Sequence, residues 1–344
     1  MVAQLSRAYI ATRPTRLWSR LVSYALFEGR PLTTRGRWIN LFIFAHTKAA
    51  KALPKLRQVN APVYILGTGR SGTTILGLVL SMHRDVGFLN EPKALWAALH
   101  DGEDLIGSYN RNAAHYRLGS LDASADLVSA AHKIFGAYLA ASGTRKVVDK
   151  YPEMIFRVPF IKAIFPDARF LFLSRSGAAT CASIDRWSDR LGTEEDGEVH
   201  DWWGADDRKW KLICAQLVPE HADLAEHQAE LSSLDHVGRA AVEWILSMRE
   251  GMRLIADGET NVLHVPYEAL CAEPQKWSET LQRFMRLERD EVFEQYAVRT
   301  LLDPERTDQL ELPRWLAPIF AQTERNLGLM RERAMQAGDA GAIT

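Results

Sequence analysis

Between residues 67 and 74 the chain reads GTGRSGTT, and these residue types at this spacing suit the binding of an anion. Gly67, Thr68 and Gly69 open a turn that Gly72 closes, and such a turn can aim backbone N–H groups at one point. Thr73 and Thr74 add two hydroxyls at a predicted helix N-terminus, where negative charge is favoured. Arg70 sets a guanidinium inside the turn, within reach of a bound group and of whatever leaves it. Farther on, Arg175 and Ser183 in FLFLSRSGAATCAS offer charge and hydroxyl for a second anion. Glu91, between Asn90 and Pro92, is a candidate base or a helix cap. Lys150, in DKYP, offers a second positive charge or a surface salt bridge.

The elements that must hold these groups follow from hydrophobic patterning. Residues 63–66 are an apolar run of strand length, and Ile75, Leu76, Val79 and Leu80 have helical spacing. Further strands are expected at 86–89, 146–148, 169–173 and 261–265, separated by helical stretches, which gives an α/β fold. Lys150 and Arg175 then emerge at strand ends, where ligands gather in doubly wound sheets. The glycines Gly67 and Gly72 keep the separation of a nucleotide-hydrolysing P-loop, G-x-x-x-x-G-K-[ST], but Thr73 replaces its lysine. The charge that reaches outer phosphates is absent, which argues against a P-loop kinase-like phosphotransferase.

The 344 residues suffice for one large domain, and the apolar and charged fractions, 47% and 25%, are those of a globular protein. Cys181, Cys214 and Cys271 are widely separated and suggest free thiols, hence a reducing, cytoplasmic setting. No repeated ligand spacing around His200 supports a metal site. The net charge of −1 hides an asymmetry: residues 1–60 hold eleven Lys or Arg and a single acid, Glu28. This basic arm contains two amphipathic or apolar runs, 17–27 and 38–44. They suit helices packed on the catalytic domain, a peripheral membrane contact, or an arm crossing a homodimer interface. No specific nucleic-acid motif accompanies the charge.

The expected organisation is therefore a basic helical extension over 1–60 and a catalytic domain over 61–344. Within the latter, residues 101–145 read as mainly helical after a polar loop, most clearly over 127–139. Residues 192–210 read as an acidic surface loop whose tryptophans, Trp202, Trp203 and Trp210, either cover an acceptor pocket or anchor the core. Residues 220–256 read as largely helical, as does the C-terminal region, with breaks near Asp303 and Pro313 and a mobile tail from 337.

Together these motifs resemble the sulfotransferases that use 3′-phosphoadenylyl sulfate, PAPS. LGTGRSGTTIL is similar to the loop for the donor's 5′-phosphosulfate, and FPDARFLFLSRSGAATCAS to the segment for its 3′-phosphate. The resemblance runs from about residue 63 to 290, with partial likeness to tyrosylprotein and bacterial members. It implies a three-layer P-loop-like fold, a central mostly parallel sheet flanked by helices. It also implies PAPS as donor, adenosine 3′,5′-bisphosphate (PAP) as product, and no required metal. Residues 67–74, Arg175 and Ser183 would bind the donor; Arg70, Glu91 and Lys150 would be catalytic, with Glu91 as base. Tyr267 and Glu268 resemble a Tyr-Glu pair of structural or chemical role. Two departures stand out: Ser176 and Gly177 replace the usual Asp-Pro, and no C-terminal Arg-Lys-Gly segment is present, leaving Arg299 or Arg314 as substitutes. The acceptor would be a hydroxylated glycan, glycolipid or small metabolite. A non-catalytic nucleotide- or anion-binding protein is the alternative outside enzymes.

Overall fold

The computed structural model describes residues 4–34, 36–195, 197–259, 261–302 and 310–340. Five parallel strands form the central sheet: β1 Val63–Gly67, β2 Val86–Asn90, β3 Lys146–Lys150, β4 Arg169–Ser174 and, later in the chain, β8 Val262–Pro266. Their spatial order is β2-β3-β1-β4-β8. β1 is buried along its whole length because both faces of a parallel sheet are covered. Its alternate residues enter different cores. Tyr64 and Leu66 join Phe170 and Phe172 on one face, and Val63 and Ile65 join Leu171 and Leu173 on the other.

The connection from β3 to β4 crosses β1, so β1 lies at the point where the sheet reverses its winding, and the crevice opens at the carboxyl ends of these strands. Gly67, Asn90, Lys150, Ser174 and Pro266 all end strands at that edge. Helices cover both faces. Ala125–Ser142 is capped by Ser124, which accepts from the Leu127 N–H, and ends at left-handed Gly143. His236–Ala256 begins at Asp235, whose side chain accepts from the Gly238 N–H at 2.7 Å.

The basic arm has a structural use that its composition did not reveal. β2 is an edge strand, with carbonyls that would otherwise lack partners. Arg16 donates to the Val86 carbonyl and Arg20 to the Phe88 carbonyl, and Glu28 accepts from the Asn90 N–H at 2.8 Å. Arg20 and Glu28 are also paired at 2.8 Å, and Arg13 forms a bidentate pair with Asp290. The helices Arg16–Val22 and Ile39–Ala52 pack on Ala125–Ser142, so much of this charge is turned inward.

Several expectations change. Residues 192–210 form a small antiparallel sheet, β5 Thr193–Glu195, β6 Glu198–Asp201 and β7 Gly204–Ala205, where a loop was expected. A two-residue turn at Trp202 and Trp203, between paired Asp201 and left-handed Gly204, makes this possible, and burial of Trp203 anchors it. Residues 101–119 are irregular, a longer stretch than the expected polar loop; buried Arg157 donates to the Tyr116 and His115 carbonyls and to Glu103, and the Asp104 carboxylate accepts from the Tyr109 and Asn110 N–H groups. Between 220 and 235 there are only short helical turns. The C-terminal helix Leu316–Ala340 includes the first residues of the expected mobile tail, whereas Asp303, Pro304 and 341–344 lie outside the described residues.

Candidate active site

The anion loop leaves β1 at Gly67, whose φ of 142° and closeness to the Leu173 carbonyl exclude a side chain: a Cβ would sit 2.5 Å from that oxygen. Gly72 (φ 97°) caps the helix Thr73–Ser81, and a Cβ there would meet the Tyr267 ring at 2.4 Å. The Gly69 position is likewise closed by Trp202, again at 2.4 Å. Ser71 donates to the Thr68 carbonyl at 2.6 Å, so its hydroxyl hydrogen braces the turn. The buried Thr68 hydroxyl has no hydrogen-bond partner among the described residues. A glycine cradle closed to side chains, with an unpaired buried hydroxyl, fits a small oxyanion.

Arg70 and Glu91 both adopt left-handed backbone, φ 68° and 50°, which is uncommon for residues with a Cβ and concentrates at functional sites. The Glu91 N–H is fixed to the Lys150 carbonyl at 2.8 Å, placing the carboxylate just past β2 and beside the end of β3. Lys150, buried, donates its ammonium to Glu91 Oε1. Burial works against charge on Glu91, but Lys150 and then Lys93 outweigh it and hold its pKa below the ordinary carboxylate value. Glu91 is thus held as a carboxylate, with 38% of its side chain exposed.

From Glu91 an alternating chain of charges runs inward. Lys93 lies 3.5 Å from Glu91 and 3.1 Å from Glu153; Lys209 lies 3.5 Å from Glu153 and 2.6 Å from Glu243. Glu243 accepts from Trp202 Nε1 at 2.7 Å, and the Lys209 ammonium stands 4.6 Å from the Trp202 ring centre. Burial opposes both charges of the Lys93–Glu153 pair, yet their attraction raises the lysine and lowers the glutamate, so the pair stays ionised. A cavity of about 90 Å³ lies over this chain, walled by Leu32, Glu91, Lys93, Trp187, Trp202 and Lys209. None of Lys93, Glu153, Lys209 or Glu243 was picked out from the sequence, because each looks like an ordinary helix or loop charge locally.

The tryptophans divide their roles. Trp203 and Trp210 are core residues packed edge to face at 5.7 Å, whereas Trp202 faces the cavity and the anion loop. His200 also lines the cavity, but among the described residues no group of three or more His, Cys, Asp or Glu is arranged to hold a metal.

The second anion motif lies across the crevice. Arg70 Nε donates to Ser183 Oγ at 3.2 Å, and Arg175 donates to the Arg70 carbonyl at 3.3 Å. The two predicted anion sites are therefore in contact. Arg175 also stacks over Tyr267, 5.0 Å from its centre, so Tyr267 braces both the loop and the arginine. Where the expected Asp-Pro is absent, carboxylates from elsewhere fix the turn: Glu268 accepts from the Ser176 N–H at 2.7 Å and Glu324 from the Gly177 N–H at 3.0 Å. Gly177 itself is required by the close approach of Phe320, 2.3 Å from a Cβ position, which seats the C-terminal helix here. Arg299 lines a separate surface groove with Gln275, Arg289 and Glu294, and Arg314 is exposed in the turn before the last helix.

Residues 62–202 match the group described as the Sulfotransferase family. Nodulation protein NoeE of Sinorhizobium fredii (strain NBRC 101917 / NGR234) is 30% identical over 126 residues, 35% of this chain and 30% of that protein. Among solved structures, a sulfotransferase from Mycobacterium avium shares 14% identity, with a TM-score of 0.45 over 90% of this chain and 85% of the other. The sulfotransferase domain of the Synechococcus PCC 7002 olefin synthase shares 17%, with a TM-score of 0.44 over 80% and 97%. The matched residues 62–202 hold the glycine loop, Glu91, Lys150, Arg175 and Trp202, so the similarity to the Sulfotransferase family falls on the segment that builds this crevice.

Proposed function

We propose that the chain transfers a sulfuryl group from PAPS to a hydroxyl of an acceptor. The observation that carries this reading is the convergence at one crevice of Arg70 in an oxyanion loop, ionised Glu91, and Lys150 bonded to that glutamate. When bound, PAPS supplies the sulfuryl group and PAP as its leaving group. The backbone of 67–74 with Thr73 and Thr74 would hold the 5′ side, and Arg175 with Ser183 the 3′-phosphate. Glu91 Oε2, turned from Lys150, accepts the proton of the acceptor hydroxyl. Arg70 and Lys150 set positive charge where negative charge grows on the transferring oxygens. Trp187 and Trp202 wall the cavity and reduce access of water, which would otherwise compete as acceptor. Thr73 in place of a P-loop lysine favours this over phosphoryl transfer.

The acceptor we infer is a hydroxylated glycan, glycolipid or small metabolite, because the cavity combines aromatic walls with an ordered set of charges. A membrane-surface acceptor is favoured by one feature of the arm. Trp38, Leu41 and Phe42 are 67%, 74% and 62% exposed on a segment, 29–60, without any Asp or Glu. The same segment sends Pro31, Leu32 and Thr33 into the cavity wall. No helix among the described residues is long and apolar enough to cross a membrane, so contact would be in the interface plane.

Calorimetric titration with PAP, in magnesium-free buffer, tests the donor assignment. Saturable binding to the wild type, weakened about 10- to 100-fold in Arg175→Ala through loss of a charged contact, is expected. Absence of binding to the wild type overturns the reading. Sulfuryl transfer from PAPS across a panel of hydroxylated acceptors then separates an enzyme from a binding protein.

A further inference from the structure

Beyond Ser183 the helix Gly177–Leu191 carries two arginines that neither anion motif includes. Ser183, Arg186 and Arg190 fall three and four residues apart and therefore share one helix face. With Arg70 and Trp187 they line a cavity of about 360 Å³. Arg186 and Arg190 are exposed, and among the described residues neither meets a carboxylate or a carbonyl. Among the described residues no carboxylate lines this cavity beside its three guanidinium groups, an arrangement that repels itself until an anion enters. The repulsion is visible at Arg70, whose pKa is lowered by burial first, then by Arg190, Arg175 and Arg186, with Glu91 opposing.

The donor's anions already have places in the loop and at Arg175 and Ser183, on the reading proposed above. Arg190 lies seven residues past Ser183, about 10 Å along the helix axis. That end of the helix turns toward Glu91: Trp187 walls the cavity beside Glu91 and Trp202, and Trp187 and Leu191 line a further cleft with Arg70, Thr74 and Glu91. The cavity of Arg186 and Arg190 thus adjoins the acceptor side, sharing Trp187 with the cavity beside Glu91 and both Trp187 and Arg70 with the cleft.

We propose that Arg186 and Arg190 form an acceptor subsite for an oxyanion, so that the chain selects hydroxylated acceptors already bearing a phosphate or sulfate ester. The subsite rests on the donor reading for its orientation and on the arginine cluster for its existence. The two are separable by experiment. PAP-saturated protein would be titrated with inorganic sulfate and phosphate against a chloride background of matched ionic strength, for wild type and Arg186→Gln/Arg190→Gln. Both positions are exposed, and glutamine is a good helix former, so the variant keeps its fold; a thermal melt checks this. The expected result is ion binding to the wild-type PAP complex that weakens about tenfold or more in the variant, with PAP affinity changed less than about twofold. Ion binding that is absent from the wild-type complex, or equal in both proteins, overturns the proposal. So does a tenfold fall in PAP affinity, which assigns the arginines to the donor. If wild type binds no PAP, the donor reading fails on its own, and sulfate titration of the free protein still decides whether the cluster binds an oxyanion.

Discussion

Replacing Lys150 by Met removes one charge while keeping a buried chain of similar length, and its effect on Glu91 can be worked from the structure. Lys150 is in ion-pair contact with Glu91, while the next cation, Lys93, is 3.5 Å away and shared with Glu153. Unit charges about 4 Å apart attract by roughly 4 kcal/mol at an effective dielectric of about 20. Glu91 has 38% of its side chain exposed, so solvent screening reduces this to about 1.5–3 kcal/mol. Loss of this attraction raises the Glu91 pKa in the variant, since only Lys93 then opposes the burial. Carbon-13 NMR titration of the Glu91 carboxyl, with Glu91→Gln for assignment, reads the shift without any acceptor. In turnover, the acid limb of the pH–rate profile should move up by the same amount. The rate on the plateau should fall about 10²–10³-fold from loss of charge at the transferring oxygens. A Glu91 pKa that stays within about 0.3 units in folded Lys150→Met would refute the claim that Lys150 holds the base ionised.

Three other outcomes follow from the geometry. Gly72→Ala must place a methyl group on the Tyr267 ring at positive φ, so we expect a loss of about 1–3 kcal/mol and of PAP binding together; a variant as stable as wild type in urea would contradict the packing. Burial raises Asp149 to about 8 and Glu103 to about 7, above the unfolded carboxylate range near about 4. The folded protein then binds more protons across that window, and stability falls as pH rises from about 4 to 8. Asp149→Asn keeps an acceptor for Trp96 Nε1 but cannot titrate, so urea midpoints at acidic and mildly alkaline pH should differ less than in wild type, and equal differences would exclude Asp149 as a source. Trp38→Asp/Phe42→Asp should abolish flotation with vesicles rich in anionic lipid, leaving PAP affinity unchanged; retained flotation would count against the arm as the contact.

The amino-acid sequence determined the parts of this protein whose cause is local. Apolar runs marked β1, β2 and β4, because strands covered on both faces need no polar side, whereas β3 was marked by Val147 and Val148 alone and β8 is interrupted by His264. Glycines at 67 and 72 marked the anion loop because only that residue fits beside the Leu173 carbonyl and the Tyr267 ring. Arg175 and Ser183 were legible as charge and hydroxyl on one strand-turn-helix, and Glu91 and Lys150 as groups at strand ends. What only the tertiary structure decided are pairings between distant segments. Glu91 acquires its charge state from Lys150 and Lys93, and the chain through Glu153, Lys209 and Glu243 draws on four elements with no shared sequence signal. Arginines of the arm became partners of β2 carbonyls because that strand lies at the sheet's edge, a fact set by strand order. Adjacent tryptophans parted, Trp203 to the core and Trp202 to the cavity, because they form the turn between paired Asp201 and Gly204. Local patterning reports propensity and face, whereas charge pairing and burial depend on which segments the fold brings into contact.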